Sequence, residues 1–376
     1  MIGVVVTSGD AAAAAPPKAK RVDAAKVRVV LFCPKDVRPP TDYQNGIDVL
    51  ADYTDRFLLS ELKRHGYEPQ AKSLFVRTDA DGRVSRDGRG SVEVLGVIGE
   101  QRADAYKKAA THQEAIESAM RHFDLPAKGD LWWVLVYRGD PPTRFSDFRG
   151  GSSPKFGGWS IANYDSRLPR LRPTMPICAG LGDEMALKGM VHELGHAFGL
   201  PHIGPKADRV RRDDNTLMGP TNFNYRRVTK NRPKNGHLSA ASAAMLAVHP
   251  VIRGAKMPEW RLPTVKTADL RIRPTATGKG FALAGTVRAA GGTPLRAIVG
   301  DHSDAMPGDY WAKHYVAEVG RDGRFELPIG EPDKTAGELR LWFTFRSGAT
   351  TGDGRLRGER GAVKVRYRYV NGRWML

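Results

Sequence analysis

The chain has 376 residues with 59 Lys and Arg against 41 Asp and Glu, a formal net charge of +18. No apolar run approaches the roughly 18 residues of a membrane span, so no transmembrane segment is expected. Two cysteines, Cys33 and Cys178, are too few for a Cys-rich zinc module or a disulfide scaffold; they form either one bridge in an exported protein or two buried thiols.

The positive balance favours acidic partners such as an anionic glycan, a cell wall, a membrane surface or nucleic acid. The basic residues are scattered, however, and neither zinc-finger spacing nor an RNA-recognition signature is present. No specific nucleic-acid partner is therefore expected. Residues 1–25 begin with the apolar Met1–Val6 and continue through Ala11–Ala15 to Pro16-Pro17. They read as a leader or signal-peptide remnant, which points to a secreted or periplasmic protein.

Val27–Phe32 is a short β-branched run and is predicted as a buried strand. Ile47, Leu50, Phe57, Leu58 and Leu62 recur at helical spacing, with Gly66 as the stop. Leu74–Val76 and Val92–Ile98 read as strands, Ala103–Phe123 as a second helix, and Leu131–Tyr137 as a central strand with Trp132 and Trp133 in the core. The order β-α-β-β-α-β predicts a mixed sheet layered with helices. Phe156–Tyr164 is predicted as an edge strand. A third helix is expected over 182–198 with Asp183 and Glu184 near its N-terminus, and a fourth from a Ser239 cap through Met245 to Val248.

Pro250, Pro258 and Pro263 mark a linker, set at 251–266. Beyond it, Leu270–Arg273, Phe281–Val287, Tyr315–Val319, Phe325–Leu327, Leu339–Phe345 and Val363–Tyr369 alternate between Gly- and Asp-rich turns. The expected fold is α+β over 26–250, followed by an all-β sandwich over 267–376.

The chemistry concentrates in His192-Glu193-Leu194-Gly195-His196-Ala197-Phe198-Gly199-Leu200-Pro201-His202. His192 and His196 are four residues apart and share one helix face, so both can bind one ion. Glu193 sits beside the first ligand, placed to take a proton from water rather than to bind metal. Gly199 can adopt the left-handed conformation that ends a helix and lets His202 return as a third ligand. Three imidazoles around one Zn2+ leave a tetrahedral position open, the arrangement of a catalytic site.

This motif resembles that of the metzincin clan of zinc endopeptidases, whose members also carry a methionine-containing turn beneath the metal. Thr216-Leu217-Met218-Gly219-Pro220 is similar to that turn, and the resemblance makes Met218 an apolar floor for the histidines. It further implies a twisted sheet of about five strands whose edge pairs with extended peptide substrate. Gly157, Gly158, Trp159, Ser160 and Ile161 are the candidate substrate strand, and Pro220–Phe223 would wall the pocket beyond the scissile bond. Some members place a tyrosine two positions after the turn methionine. Pro220 stands there in this chain, with Tyr225 nearby, so no subfamily is assigned.

The expected function is therefore zinc-dependent hydrolysis of peptide bonds through a metal-activated water, with Glu193 as general base. The alternative is a non-proteolytic zinc protein that binds glycan or protein through the C-terminal sandwich. Retention of Glu193 argues against that alternative, since a relic site has no need of a base. His237 and His249 flank the last helix and read as surface or capping residues. Asp301, His302 and Asp304 form a polar loop with a minor prospect of a second metal site.

Overall fold

A computed structural model describes residues 19–376 apart from 21, 107–110, 127, 141–147, 154, 156, 180–186, 258–261, 276–279, 291, 304–306, 331, 333–335 and 353–360. Of the leader expected over 1–25, residues 1–18 and 21 lie outside the described residues, as do Asp183, Glu184 and Asp304, while Ala19 and Ala25 are buried in the fold. Residues 1–60, 69–198 and 250–257 cluster as one compact unit, and 61–68, 199–249 and 258–376 as another.

The first unit begins with β1 (Val27–Cys33), followed by α1 (Tyr43–Arg64), β2 (Arg77–Thr78), β3 (Ser91–Val92), β4 (Val94–Ile98), α2 (Thr111–Phe123), β5 (Leu131–Val136), β6 (Arg149–Ser153), β7 (Gly157–Asn163) and α3 (Leu187–Ala197). The last residues of α1 cluster with the second unit. Five strands form one sheet in the order β4-β1-β5-β7-β6. The first four run parallel, and β6 pairs antiparallel with β7. β1 and β5 are buried along their whole length, as continuous apolar runs require in a sheet covered on both faces. One core cluster collects Val30, Phe32, Ile116, Phe123, Trp132 and Val134, joining α2 to this sheet. Each such side chain, fully buried, contributes about 1.5–3 kcal/mol of transfer free energy.

The topology corrects one expectation. Gly157–Ile161 is not an edge, because Arg149–Ser153 occupies the outer position and pairs with it from Arg149↔Ile161 to Ser153↔Gly157. Nothing in the apolar pattern of Arg-Gly-Gly-Ser-Ser announces a strand; β6 is held by backbone hydrogen bonding to its neighbour.

The second unit contains α4 (Ala207–Val210), β8 (Asp214–Thr216), α5 (Asn222–Thr229), β9 (Asn235–His237) and α6 (Ala240–Val248). Ser239 caps α6 as expected, its hydroxyl accepting from Ser242 N. α7 (Pro250–Arg253) belongs to the first unit, where Ile252 O accepts from Gln70 N and Ala71 N. The second unit then continues with β10 (Val265–Pro274), β11 (Phe281–Ala289), β12 (Arg296–Ser303), β13 (Lys313–Glu318), β14 (Arg324–Ile329), β15 (Ala336–Thr344), β16 (Thr350–Thr351), β17 (Val363–Val370) and β18 (Arg373–Met375). β10-β11-β14 form one sheet and β13-β12-β15-β17-β18 another, with β16 on β15. A single apolar cluster draws on both sheets, including Phe281, Leu283, Phe325 and Leu327 from one and Val299, Leu341 and Phe343 from the other. The protein is thus a mixed α/β structure with several sheets and helices.

Candidate metal centre

α3 carries the first two histidines. Leu187, Met190, Val191, Leu194 and Ala197 are buried, which fixes the helix's rotation against the sheet. His192 is buried and His196 half-buried, their ring centroids 4.8 Å apart and the planes at 89°. The helix lies unusually close to β6 and β7. A Cβ on Gly150 would sit 2.1 Å from Glu193 O and 2.8 Å from His196 Cβ, and one on Gly158 would sit 2.0 Å from Ala197 O. Glycine is what lets the strands reach the helix backbone at the two site residues.

The helix stops where the sequence places its stop. Gly199 has φ +85°, the left-handed region, and the chain turns there toward His202. His192, His196 and His202 each offer a nitrogen, and these atoms all lie within 4.8 Å of one another, forming a group that could hold a metal ion. The donor chemistry fits: three imidazoles suit zinc and several other divalent transition metals. No other such group of three or more His, Cys, Asp or Glu occurs among the described residues.

Glu193 is half-buried beside these ligands. Desolvation pushes its carboxyl up to about 7, opposed by the positive charges of Lys188 and Arg149. Lys188 is itself buried in α3, and desolvation lowers its ammonium to about 8.

His202 belongs to a loop whose next residues are anchored at several points. Ile203 N donates to Met218 O at 3.0 Å, Thr216 Oγ1 donates to Ile203 O, and Gly204 N donates to Ala312 O at 2.7 Å. Met218 is fully buried in a tight turn closed by Gly219 N donating to Thr216 O at 3.1 Å. Asn215 Nδ2 braces that turn by donating to Pro220 O at 2.8 Å. Tyr225 is buried with its hydroxyl directed at Val210 O and Asp214 O, a core position. Phe223 is largely exposed.

The other candidates are distributed differently. Trp159 stacks on His112 with centroids 3.7 Å apart, and Trp132 and Trp133 are core residues. His302 Nδ1 lies 3.1 Å from Asp309 Oδ1, and Asp301 accepts from Tyr367 Oη at 2.7 Å. Cys33 and Cys178 are both buried thiols rather than a bridge, and burial raises Cys33 to about 12. Sequence reasoning did not find Tyr310, whose ring lies 3.8 Å from that of His202. No local signal could have found it, because Tyr310 reaches the loop only through the folded second unit.

No family model and no curated protein matches the chain. Solved structures do. The crystal structure of wild-type OgpA from Akkermansia muciniphila matches with a TM-score of 0.64 at 18% identity, over 94% of this chain and 96% of that one. Catalytically inactive OgpA in complex with an O-glycopeptide substrate, glycodrosocin, matches with a TM-score of 0.65 at 18% identity, over 95% and 98%. The likeness at this identity establishes a shared fold over nearly the whole length. No helix among the described residues is long and apolar enough to cross a membrane.

Proposed function

We propose that the protein is a zinc-dependent endopeptidase of the metzincin type, acting on extended peptides that include O-glycosylated ones. The observation that carries this reading is the His192, His196 and His202 group with Glu193 beside it. The likeness to OgpA, solved with an O-glycopeptide substrate, supports the peptide and glycopeptide class.

In this reading the three histidines hold one zinc ion, which when bound supplies Lewis-acid polarisation of water and of the scissile carbonyl. Glu193 takes the proton of the attacking water and delivers it to the leaving amine nitrogen. Met218 closes the floor beneath the ligands. The substrate lies extended along the outer edge of β6, whose Gly150 abuts the backbone of Glu193. This moves the substrate strand from Gly157–Ile161 to Arg149–Ser153. The 26–250 region supplies the peptidase core, and the two sheets of 267–376 form a β-sandwich around their shared apolar cluster. The N-terminal leader routes the protein out of the cytoplasm.

The test compares wild type with Glu193→Gln on casein and on an O-glycosylated peptide, with metal content measured in parallel. Glu193→Gln should keep its metal and lose about 100-fold or more of the cleavage rate. Equal cleavage by the two proteins would sink the assignment of Glu193. His202→Ala should lose metal on dialysis, and full retention would argue against a three-histidine site.

A further inference from the structure

We propose that Tyr310 is a positioning residue that seats the imidazole of His202. The inference rests on reading His202 as a metal ligand. Of the three histidines, His192 and His196 take their orientation from a buried helix, whereas His202 stands on a loop. Something other than secondary structure must fix its ring. Tyr310 lies against that ring, the centroids 3.8 Å apart and the planes tilted by 35°. This is close aromatic packing, and it limits the torsions through which the imidazole could swing away.

The tyrosine is itself held in place. It lies in the short 3-10 turn Asp309–Trp311, between β12 and β13. Trp311 N donates to Gly308 O and Ala312 N to Asp309 O, each at 3.0 Å. On one side of Tyr310, Trp311 stacks on buried Tyr225 with centroids 5.8 Å apart and planes at 21°. Gly204 N donates to Ala312 O at 2.7 Å, two residues past the ligand. The approach is so close that a Cβ on Gly204 would sit 2.5 Å from the carbonyl carbon of Trp311. Lys206 Nζ then lies 4.7 Å from the centre of the Tyr315 ring on β13. The loop bearing His202 is therefore gripped by the turn that carries Tyr310. All of these contacts lie within the second compact unit.

The test uses the full chain loaded with zinc, and reads metal affinity and release rate by competition with a chromogenic chelator. Tyr310→Ala and Tyr310→Leu should bind zinc about two- to tenfold more weakly and release it faster, the range an aromatic pair of this kind is worth. Tyr310→Phe, which keeps the ring face, should match wild type. Denaturant midpoints of the metal-free proteins accompany the series, because a purely structural role would move stability and leave affinity at wild type. Tyr310 is half-exposed, so these replacements leave the buried core intact. Wild-type affinity in both the alanine and leucine variants overturns the proposal, as does a loss in Tyr310→Phe equal to that in Tyr310→Ala. His202→Ala separates the layers. If it retains zinc as wild type does, the three-histidine reading fails. If it loses zinc while the Tyr310→Ala and Tyr310→Leu variants do not, the seating role alone fails.

Discussion

Asp55, on the inner face of α1, accepts from Ser73 Oγ at 2.6 Å, Leu74 N at 2.8 Å and Arg77 Nη2 at 3.0 Å. It ties the helix to the segment entering β2. Arg77 is also buried and keeps its ion pair to Asp52 at 2.8 Å and its bond to Gly90 O at 3.0 Å, so Asp55→Ala removes the acceptor of Ser73 Oγ and Leu74 N without leaving the guanidinium unpaired. The expected cost is about 1–3 kcal/mol of unfolding free energy, read as a lower urea midpoint. A second residue makes stability depend on pH. Burial, reinforced by Arg209 and Arg64, lowers His237 from 6.5 to about 4. The unfolded chain therefore binds a proton between those values that the folded chain refuses, so stability falls as pH drops from 6.5 toward 4. The slope is about 1.4 kcal/mol per pH unit and should be absent in His237→Gln; parallel pH profiles for the two proteins would refute this. The sequence reads His237 as a surface or capping residue because nothing local shows which face of β9 is covered. The metal group is the opposite case. His192, His196, Gly199 and His202 answer to helical geometry and one left-handed residue, which are local properties visible in spacing.

At the scale of elements, two adjacent glycines of β6 differ in what they do for the packing of α3. Gly150 abuts the helix backbone, whereas a Cβ on the adjacent Gly151 would meet nothing nearer than the Trp159 ring at 3.8 Å. Gly150→Ala should thus push α3 outward, destabilising the protein by about 1–3 kcal/mol and weakening any metal binding at the histidine group. Gly151→Ala should leave both near wild type. Equal denaturant midpoints for the two variants would show that the close approach is not a constraint. α1 is legible because its apolar residues repeat at helical spacing, and β1 and β5 because each is a short continuous apolar run. β6 is not, since its residues carry no apolar period. β12 (Arg-Ala-Ile-Val-Gly-Asp-His-Ser) is not legible because its apolar run is only Ala297–Val299 and Gly300 and Asp301 interrupt it, although the strand is buried through its middle.

Over the whole molecule, the compact units do not follow the sequence. Residues 199–249 cluster with 258–376, and contacts such as Gly204 with Ala312 and Tyr225 with Trp311 bind them. A chain ending at Met257 should therefore expose Tyr225 and the His202 loop, lose cooperative melting and lose metal affinity at the histidine group. Cooperative melting near that of the full chain, with metal retained, would show the two stretches to be separable. The sequence boundary drawn near residue 250 follows proline content, which marks where a chain bends and not what it packs against. Tyr310 follows His202 by about a hundred residues, and that separation has a consequence for biosynthesis. Ribosomes add residues from the N-terminus, so the motif leaves the exit tunnel long before its aromatic neighbour exists. A nascent chain of this protein passes through a stage with all three histidines made and Tyr310 not yet added. If Tyr310 seats His202 as proposed, ribosome-stalled chains ending before Gly308 should exchange bound metal faster than the released full chain; equal exchange would show that the ring contributes nothing during synthesis.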